Sequence, residues 1–108
     1  MNLLEQRCQG AGVSAMAESD VRRHLSQVSG WQLIGGAIEK TFRFRDDLET
    51  LAFVNALGWM SHVEDHHAEL RVTYDHCVVR FNTHSVGGIS LNDFICAAKA
   101  DALVAFAA

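Results

Sequence analysis

The sequence lacks the features that mark several common classes of protein. It has 9 Lys and Arg residues against 13 Asp and Glu residues, a formal net charge of −4, and no cluster of basic residues. Proteins that bind the phosphate backbone present a basic patch, so we expect no nucleic-acid partner. No apolar run is long enough to span a bilayer, and no basic stretch followed by a long apolar run opens the sequence. We therefore expect no membrane partner.

Cysteine is also scarce. The three cysteines, Cys8, Cys77 and Cys96, are far apart in the sequence and form no CxxC pair. An odd number at this spacing suits neither a disulfide framework nor a zinc knuckle. The pattern favours a reducing, cytoplasmic location, in which Cys77 and Cys96 are small core residues.

The length of the chain, 108 residues, suits one domain with a hydrophobic core. We predict a flexible N-terminal arm over residues 1–17, which contain small residues without clear periodicity, and a single domain over residues 18–108. A domain of this size often gains from quaternary contacts, so we expect it to form an oligomer.

Apolar periodicity within the domain predicts three helices and two hairpins. The first helix is expected to start at a cap from Ser19 and to stop at Gly30. The second is expected to start at Asp46 or Asp47 and to run to about residue 66, and the third to open on a capping box formed by Ser90 and Asp93. Alternating apolar residues predict strands over residues 31–34, 38–44, 70–74 and 77–83.

The order α-β-β-α-β-β-α predicts an α+β fold. Two hairpins would form a four-stranded, mainly antiparallel sheet, with the helices packed on one face. The second hairpin is expected to turn at Asp75-His76, and counting along its antiparallel ladder then places His84 opposite His67. His76 would lie far away at the tip of the hairpin.

Histidines are clustered in one part of the sequence, where five of the six lie between His62 and His84. His62 and His66 are four residues apart on the second helix and share a face, and the hairpin returns His84 to them. One interpretation is a metal site of His62, His66 and His84 with an open position. Another is proton transfer, because imidazole titrates near neutrality. A third is that histidines simply stabilise the C-terminal end of the helix.

The residues around the histidines also follow a wider pattern. It reads His62, Val63-Glu64-Asp65, His66-His67-Ala68, Thr83-His84, Gly88-Ile89 and Asp93. It resembles the pattern of the pterin-4a-carbinolamine dehydratases, also called dimerisation cofactor of a homeodomain transcription factor in animals. That family has an acidic or polar residue, three residues, His-His-Pro, a hairpin that ends in Thr-His, then Gly-Leu or Gly-Ile, and an Asp that opens the last helix. Further similar segments are GWQL at 30–33, FRFRD at 42–46, LAFVNALG at 51–58 and NDFICAAKAD at 92–101.

The resemblance implies an enzyme, a 4a-hydroxytetrahydrobiopterin dehydratase. Such a hydro-lyase converts a 4a-hydroxytetrahydropterin to quinonoid dihydropterin and water, without a metal or other cofactor, and so recycles tetrahydropterin for aromatic amino-acid hydroxylation. It also implies a homodimer or homotetramer and a functional link to an aromatic amino-acid hydroxylase. The catalytic residues that it implies are His66, His67, His84 and Asp93. The pterin-binding residues that it implies are His62, Asp65, Asn82, Thr83 and Ser85.

Two departures from the family pattern stand out. His62 occupies a position that is usually Glu, which changes the charge there, and Ala68 replaces the proline after the histidine pair, in a chain without any proline. Ala68 does not fix the backbone angle φ as proline would. Asp93 has two interpretations, because it also completes the cap with Ser90. An alternative function is a non-catalytic dimerisation or assembly module on the same fold.

Overall fold

The structure, a computed structural model, describes residues 2–10 and 12–104. Met1, Ala11 and residues 105–108, which belong to the predicted arm and to the end of the predicted domain, lie outside the described residues. The elements are α1 (Glu18–Leu25), β1 (Gln32–Ile34), β2 (Ala37–Arg43), α2 (Asp47–Glu64), β3 (Glu69–Val72), β4 (His76–Phe81) and α3 (Leu91–Val104). Short 3₁₀ helices lie at Leu3–Glu5 and His84–Val86. The predicted order of helices and strands is confirmed.

The four strands form one sheet in the order β1-β2-β4-β3, with every neighbouring pair antiparallel. Strand β4 is central, and its residues Cys77, Val79 and Phe81 are fully buried because they alternate onto the face that α2 and α3 cover. The α+β fold class is confirmed. Burial of each large apolar side chain on this face contributes roughly 1.5–3 kcal/mol.

The second helix, α2, starts where the sequence predicts. Asp46 is its N-cap, and the Asp46 carboxylate accepts a hydrogen bond of 3.0 Å from the backbone N–H of Glu49. Thr50, in the first turn, is fully buried, and its hydroxyl donates to the carbonyl oxygens of Asp46 and Tyr74 over 2.9 and 3.0 Å. These bonds attach the start of α2 to the tip of the second hairpin.

The first helix differs from the prediction at both ends. Ala17 is its N-cap and makes no side-chain cap bond, so Ser19 is an ordinary residue of the first turn. The helix ends at Leu25, where Ser26 N–H bonds back to Arg23 and His24. Gly30, with φ of +86°, belongs to the turn that leads into β1, because the chain between Leu25 and Gly30 folds as successive turns.

The second hairpin turns one residue earlier than predicted. Val72 pairs with Cys77, so the register is shifted by two residues from the predicted ladder. Thr73 explains the shift, because its N–H donates to the His76 carbonyl oxygen over 2.9 Å and its hydroxyl contacts His76 Nδ1 over 2.7 Å. These contacts close a turn at Tyr74-Asp75 that needs no glycine.

The described part of the N-terminal arm lies against the domain. Leu3 is buried, the backbone N–H of Cys8 donates to Glu64 Oε1 over 2.8 Å, and Met16 N–H donates to the Ile89 carbonyl oxygen over 2.7 Å. The arm therefore makes more contacts than its lack of periodicity led us to expect. Its flexibility stays a prediction.

Glu64 is the residue that holds the arm. Its side chain is only 3% exposed, and its carboxylate binds Arg7 Nε at 2.9 Å and Lys99 Nζ at 2.8 Å, as well as the N–H of Cys8. Burial raises the pKa of Glu64, but the hydrogen bonds from Cys8 and Lys99 and the charges of Lys99 and Arg7 outweigh it, so that this pKa lies below its ordinary value. Glu64, at the end of α2, thus binds residues of both the arm and α3 through its carboxylate.

None of the described helices is both long enough and apolar enough to cross a membrane.

Candidate active site

The turn that follows α2 directs His66 toward the start of α3. Asp65 follows the helix in the left-handed conformation, with φ of 52°, and the N–H of His66 bonds back to the Ser61 carbonyl oxygen over 3.1 Å. The chain therefore reverses within one residue. This reversal places His66 Nε2 only 2.6 Å from Asp93 Oδ1, although the two residues are 27 positions apart.

The Asp93 carboxylate is fully buried, and both of its oxygens have hydrogen-bond partners. Its Oδ1 atom meets His66, while its Oδ2 atom accepts from the Thr83 hydroxyl over 2.8 Å and from the Ser90 N–H over 2.9 Å. The hydroxyls of Thr83 and Ser90 also bond each other at 2.7 Å. The predicted cap on α3 is confirmed, and the same carboxylate contacts a histidine. The two interpretations of Asp93 are therefore compatible.

The contact with Asp93 defines the chemistry of His66. An ionised carboxylate only accepts hydrogen bonds, so with Asp93 ionised the 2.6 Å contact has His66 Nε2 as the donor. The neutral imidazole then has its lone pair on Nδ1, where it can accept a proton. The ring lies nearly parallel to Phe81, with centroids 6.1 Å apart and 13° between the planes. The Asp93 contact and the Phe81 ring together restrain the orientation of the His66 ring.

His67, the residue after His66, lines an open surface cavity of about 240 Å³, whereas His66 and Asp93 are not among its lining residues. Three of the predicted site residues, His67, Asn82 and His84, line it, and the remaining lining residues are Ala37, Ala68, Glu69 and Arg80. Both His67 and His84 are exposed. His67 and His84 therefore lie at the same cavity, as predicted, despite the shift in register. The β3–β4 ladder stops at the Glu69–Arg80 pair, and the chain leaves the strand direction before His84.

Other predicted site residues lie outside this cavity. His62 is exposed and lies against Trp59, with ring centroids 6.2 Å apart, in a shallow groove that Asn55 and Gly58 complete. Asp65 and Ser85 are exposed, and neither is among the lining residues of the cavity.

The predicted pterin contact Thr83 is buried behind the cavity, where its hydroxyl bonds Asp93 and Ser90. Within residues 2–10 and 12–104, no three side chains of His, Cys, Asp or Glu are arranged to hold a metal ion. The alternative of a metal site of His62, His66 and His84 is therefore not supported.

Arg80 and Glu69 also line the cavity, and neither is among the residues predicted for the site. Arg80 is opposite Glu39 on β2 and Glu69 on β3 in the sheet, and it forms an ion pair with Glu39 and lies 3.6 Å from Glu69. Opposite charges at facing positions of neighbouring strands attract each other. The correct strand register would have predicted that Arg80 lies between Glu39 and Glu69.

The chain is similar to known proteins of one family. A family profile described as "Pterin 4 alpha carbinolamine dehydratase" matches residues 14–103. A Chromobacterium violaceum protein named "Putative pterin-4-alpha-carbinolamine dehydratase" is 49% identical over 104 residues, 95% of this chain and 96% of its own length. A protein of the same name from Xanthomonas campestris pv. campestris (strain B100) is 59% identical over 87 residues, 79% of this chain and 74% of its own length.

A solved structure from Brucella melitensis, described as a transcriptional coactivator/pterin dehydratase, is similar in fold. It superposes with a TM-score of 0.80 at 28% identity and covers 83% of this chain and 98% of its own.

Proposed function

This chain belongs to the pterin 4 alpha carbinolamine dehydratase family, and we propose that it removes water from a 4a-hydroxytetrahydropterin by histidine acid–base catalysis. The product is a quinonoid dihydropterin. The observation that carries this proposal is the 2.6 Å contact between His66 and the buried Asp93, next in the chain to His67, which lines a cavity together with His84.

The reaction needs two proton transfers at neighbouring positions of the pterin ring. The 4a-hydroxyl group leaves as water only if it receives a proton, and N5 must lose one. Because one proton is taken up and one is released, a group of imidazoles can act as acid and base without net change. We assign these transfers to His66, His67 and His84, with Asp93 holding His66. Asn82 also lines the cavity and would contact the ring.

The remaining site residues stay predicted pterin contacts. His62, Asp65 and Ser85 lie outside the cavity, and Thr83 lies behind it, so we expect their effects on binding to be smaller than that of Asn82. The proposed substrate is 4a-hydroxytetrahydrobiopterin or a related pterin. We further propose a cytoplasmic enzyme that serves an aromatic amino-acid hydroxylase.

We also propose that the protein is a homodimer or homotetramer. Leu48, Leu51, Trp59 and Val63 of α2 are 49–74% exposed, and their spacing places them on one side of the helix. An apolar stripe of this kind is typical of an interface between subunits. Light scattering after size exclusion measures the mass directly, and a monomer at micromolar concentration would contradict this part of the proposal.

A second candidate function is a non-catalytic assembly module on the same fold. The Brucella protein is described both as a transcriptional coactivator and as a pterin dehydratase, which favours keeping this alternative. The two functions differ in one measurable property, because only the enzyme accelerates dehydration.

The experiment is a rapid-mixing assay of 4a-carbinolamine dehydration with the wild type and single alanine variants of His66, His67 and His84. We expect each variant to lose activity, by up to about 10²- to 10⁴-fold for the residue that transfers the proton of the leaving group. His76→Ala is the matched control, because His76 lies at the far end of β4. A wild-type protein that does not exceed the uncatalysed rate would refute the proposal.

A further inference from the structure

Two thiols meet where the N-terminal arm crosses α3. The sulfur atoms of Cys8 and Cys96 are 3.4 Å apart, although the residues are separated by 88 positions in the chain. Both cysteines are free thiols; Cys96 is fully buried and Cys8 is half-buried. The third cysteine, Cys77, is buried in β4, where its sulfur lies 3.9 Å from the Val78 carbonyl oxygen.

Hydrogen bonds on both sides hold Cys8 over α3. The N–H of Cys8 donates to Glu64, and the next residue, Gln9, exchanges two hydrogen bonds of 2.9 and 2.6 Å with the Asn92 side chain. The Cys8 thiol also contacts the Asn92 carbonyl oxygen at 3.6 Å. The two sulfurs lie about 1.4 Å further apart than the disulfide bond length of about 2.0 Å.

We propose that Cys8 and Cys96 form a redox modification site, a dithiol that hydroperoxides oxidise to a disulfide and thiol reductants restore. The thiolate of Cys8 attacks the outer oxygen of the hydroperoxide, becomes a sulfenic acid and releases water or an alcohol. The sulfur of Cys96 then displaces the sulfenic oxygen, which leaves as water. In sum, two thiols and one hydroperoxide give one disulfide, one water and one molecule of water or alcohol.

The surroundings assign the order of these two steps. Cys8 is the accessible sulfur, so it meets the oxidant first. The hydrogen bond with Cys8, burial, and the carboxylates of Glu64 and Asp93 all raise the pKa of Cys96. Because Cys96 is also fully buried, we expect it to react as the second thiol and the disulfide to form slowly, over minutes to hours.

The disulfide ties the arm to α3 covalently. It closes a loop of 88 residues, and cross-links over long loops restrict the unfolded chain most. The oxidised protein should therefore unfold at a higher temperature than the reduced one. Its arm should also resist proteases that cleave the reduced protein near Arg7.

Peptide mapping without reduction tests the proposal, because trypsin separates the three cysteines. Cleavage after Lys and Arg leaves Cys8 in peptide 8–22, Cys77 in peptide 72–80 and Cys96 in peptide 81–99. After hydrogen peroxide treatment of the wild type, we expect peptides 8–22 and 81–99 to be joined, with Cys77 still a free thiol. Dithiothreitol should separate the joined peptides and lower the unfolding temperature again.

Two variants make the result specific. Cys8→Ser should form no link and show no rise in unfolding temperature with peroxide, whereas Cys77→Ala should form the same link as the wild type. Oxidation of Cys8 only to a sulfinic acid, a link that involves Cys77, or a link between two chains would each overturn the proposal.

Discussion

Replacing Asp93 with Asn tests whether this carboxylate sets the proton chemistry of the site. The carboxylate accepts three hydrogen bonds, from His66, Thr83 and the Ser90 backbone. An Asn side chain of the same shape has one accepting oxygen and one donating NH₂ group. If the oxygen serves Thr83 and Ser90, the NH₂ group faces His66 Nε2, which must then become the acceptor. The proton of the neutral imidazole moves to Nδ1, and its lone pair is lost there.

The expected effect on catalysis is large, and the effect on stability is moderate. Removing the contribution of one general base lowers the rate about 10²- to 10⁴-fold, which corresponds to about 2.7–5.4 kcal/mol in the activation free energy. Loss of the charge-assisted hydrogen bonds should lower the free energy of unfolding by about 1.5–3 kcal/mol. Rapid-mixing kinetics of dehydration gives the first quantity, and urea denaturation gives the second.

A control separates loss of stability from loss of chemistry. Thr50→Ala removes a buried hydroxyl with two hydrogen bonds at the opposite end of α2, and it should cost about 1–3 kcal/mol while leaving dehydration unchanged. If Asp93→Asn keeps wild-type kcat, or if Thr50→Ala loses activity to the same degree, then Asp93 does not set the tautomer of His66.

Glu64, His62 and the three histidines of the proposed site can each be tested by substitution. The pKa of Glu64 is held below its ordinary value of 4.5. The ionised Glu64 therefore stabilises the fold above about pH 4.5, and this stabilisation is lost as the pH falls through the lowered pKa. In urea denaturation, the free energy of unfolding of Glu64→Gln should depend less on acid pH than that of the wild type. His62→Glu restores the residue usual in the family at a position outside the cavity, so pterin affinity should be unchanged or tighter; loss of all activity would show that the chemistry depends on His62. A triple alanine variant of His66, His67 and His84 should be little slower than the slowest single variant, because residues that act as a unit give losses that do not add; additive losses in log rate would mean that they act separately.

The sequence predicted the elements of the fold better than it predicted their ends. The apolar periodicity of α2 and its Asp46 cap are local signals, and both were found. The turn at Tyr74-Asp75 was missed by one residue because it depends on the side chain of Thr73, which no glycine signal marks. The cap at Ser19 was wrong because Ala17 occupies that position without any side-chain bond.

The contacts that hold the arm could not be read from the sequence. Glu64 is an ordinary acidic residue near a helix end, and it becomes buried only because Arg7, Cys8 and Lys99 arrive from other parts of the chain. The contact between Cys8 and Cys96 has the same origin, since it depends on the path of the arm over α3. Contacts between residues so far apart in the sequence depend on how the whole chain packs, and no local sequence pattern predicts them.

The Asp93 carboxylate shows why two interpretations of one residue can both hold. The pattern from Ser90 to Asp93 is a sound helix-start signal, and the bond from the Ser90 N–H bears it out. A capping carboxylate has two oxygens, however, and the cap together with Thr83 occupies only Oδ2. Oδ1 is free to receive His66 because the left-handed Asp65 turns the chain back at that point. The cap holds the carboxylate rigid, and a rigid carboxylate can fix the proton of the imidazole, so the element that starts the helix also orders the site.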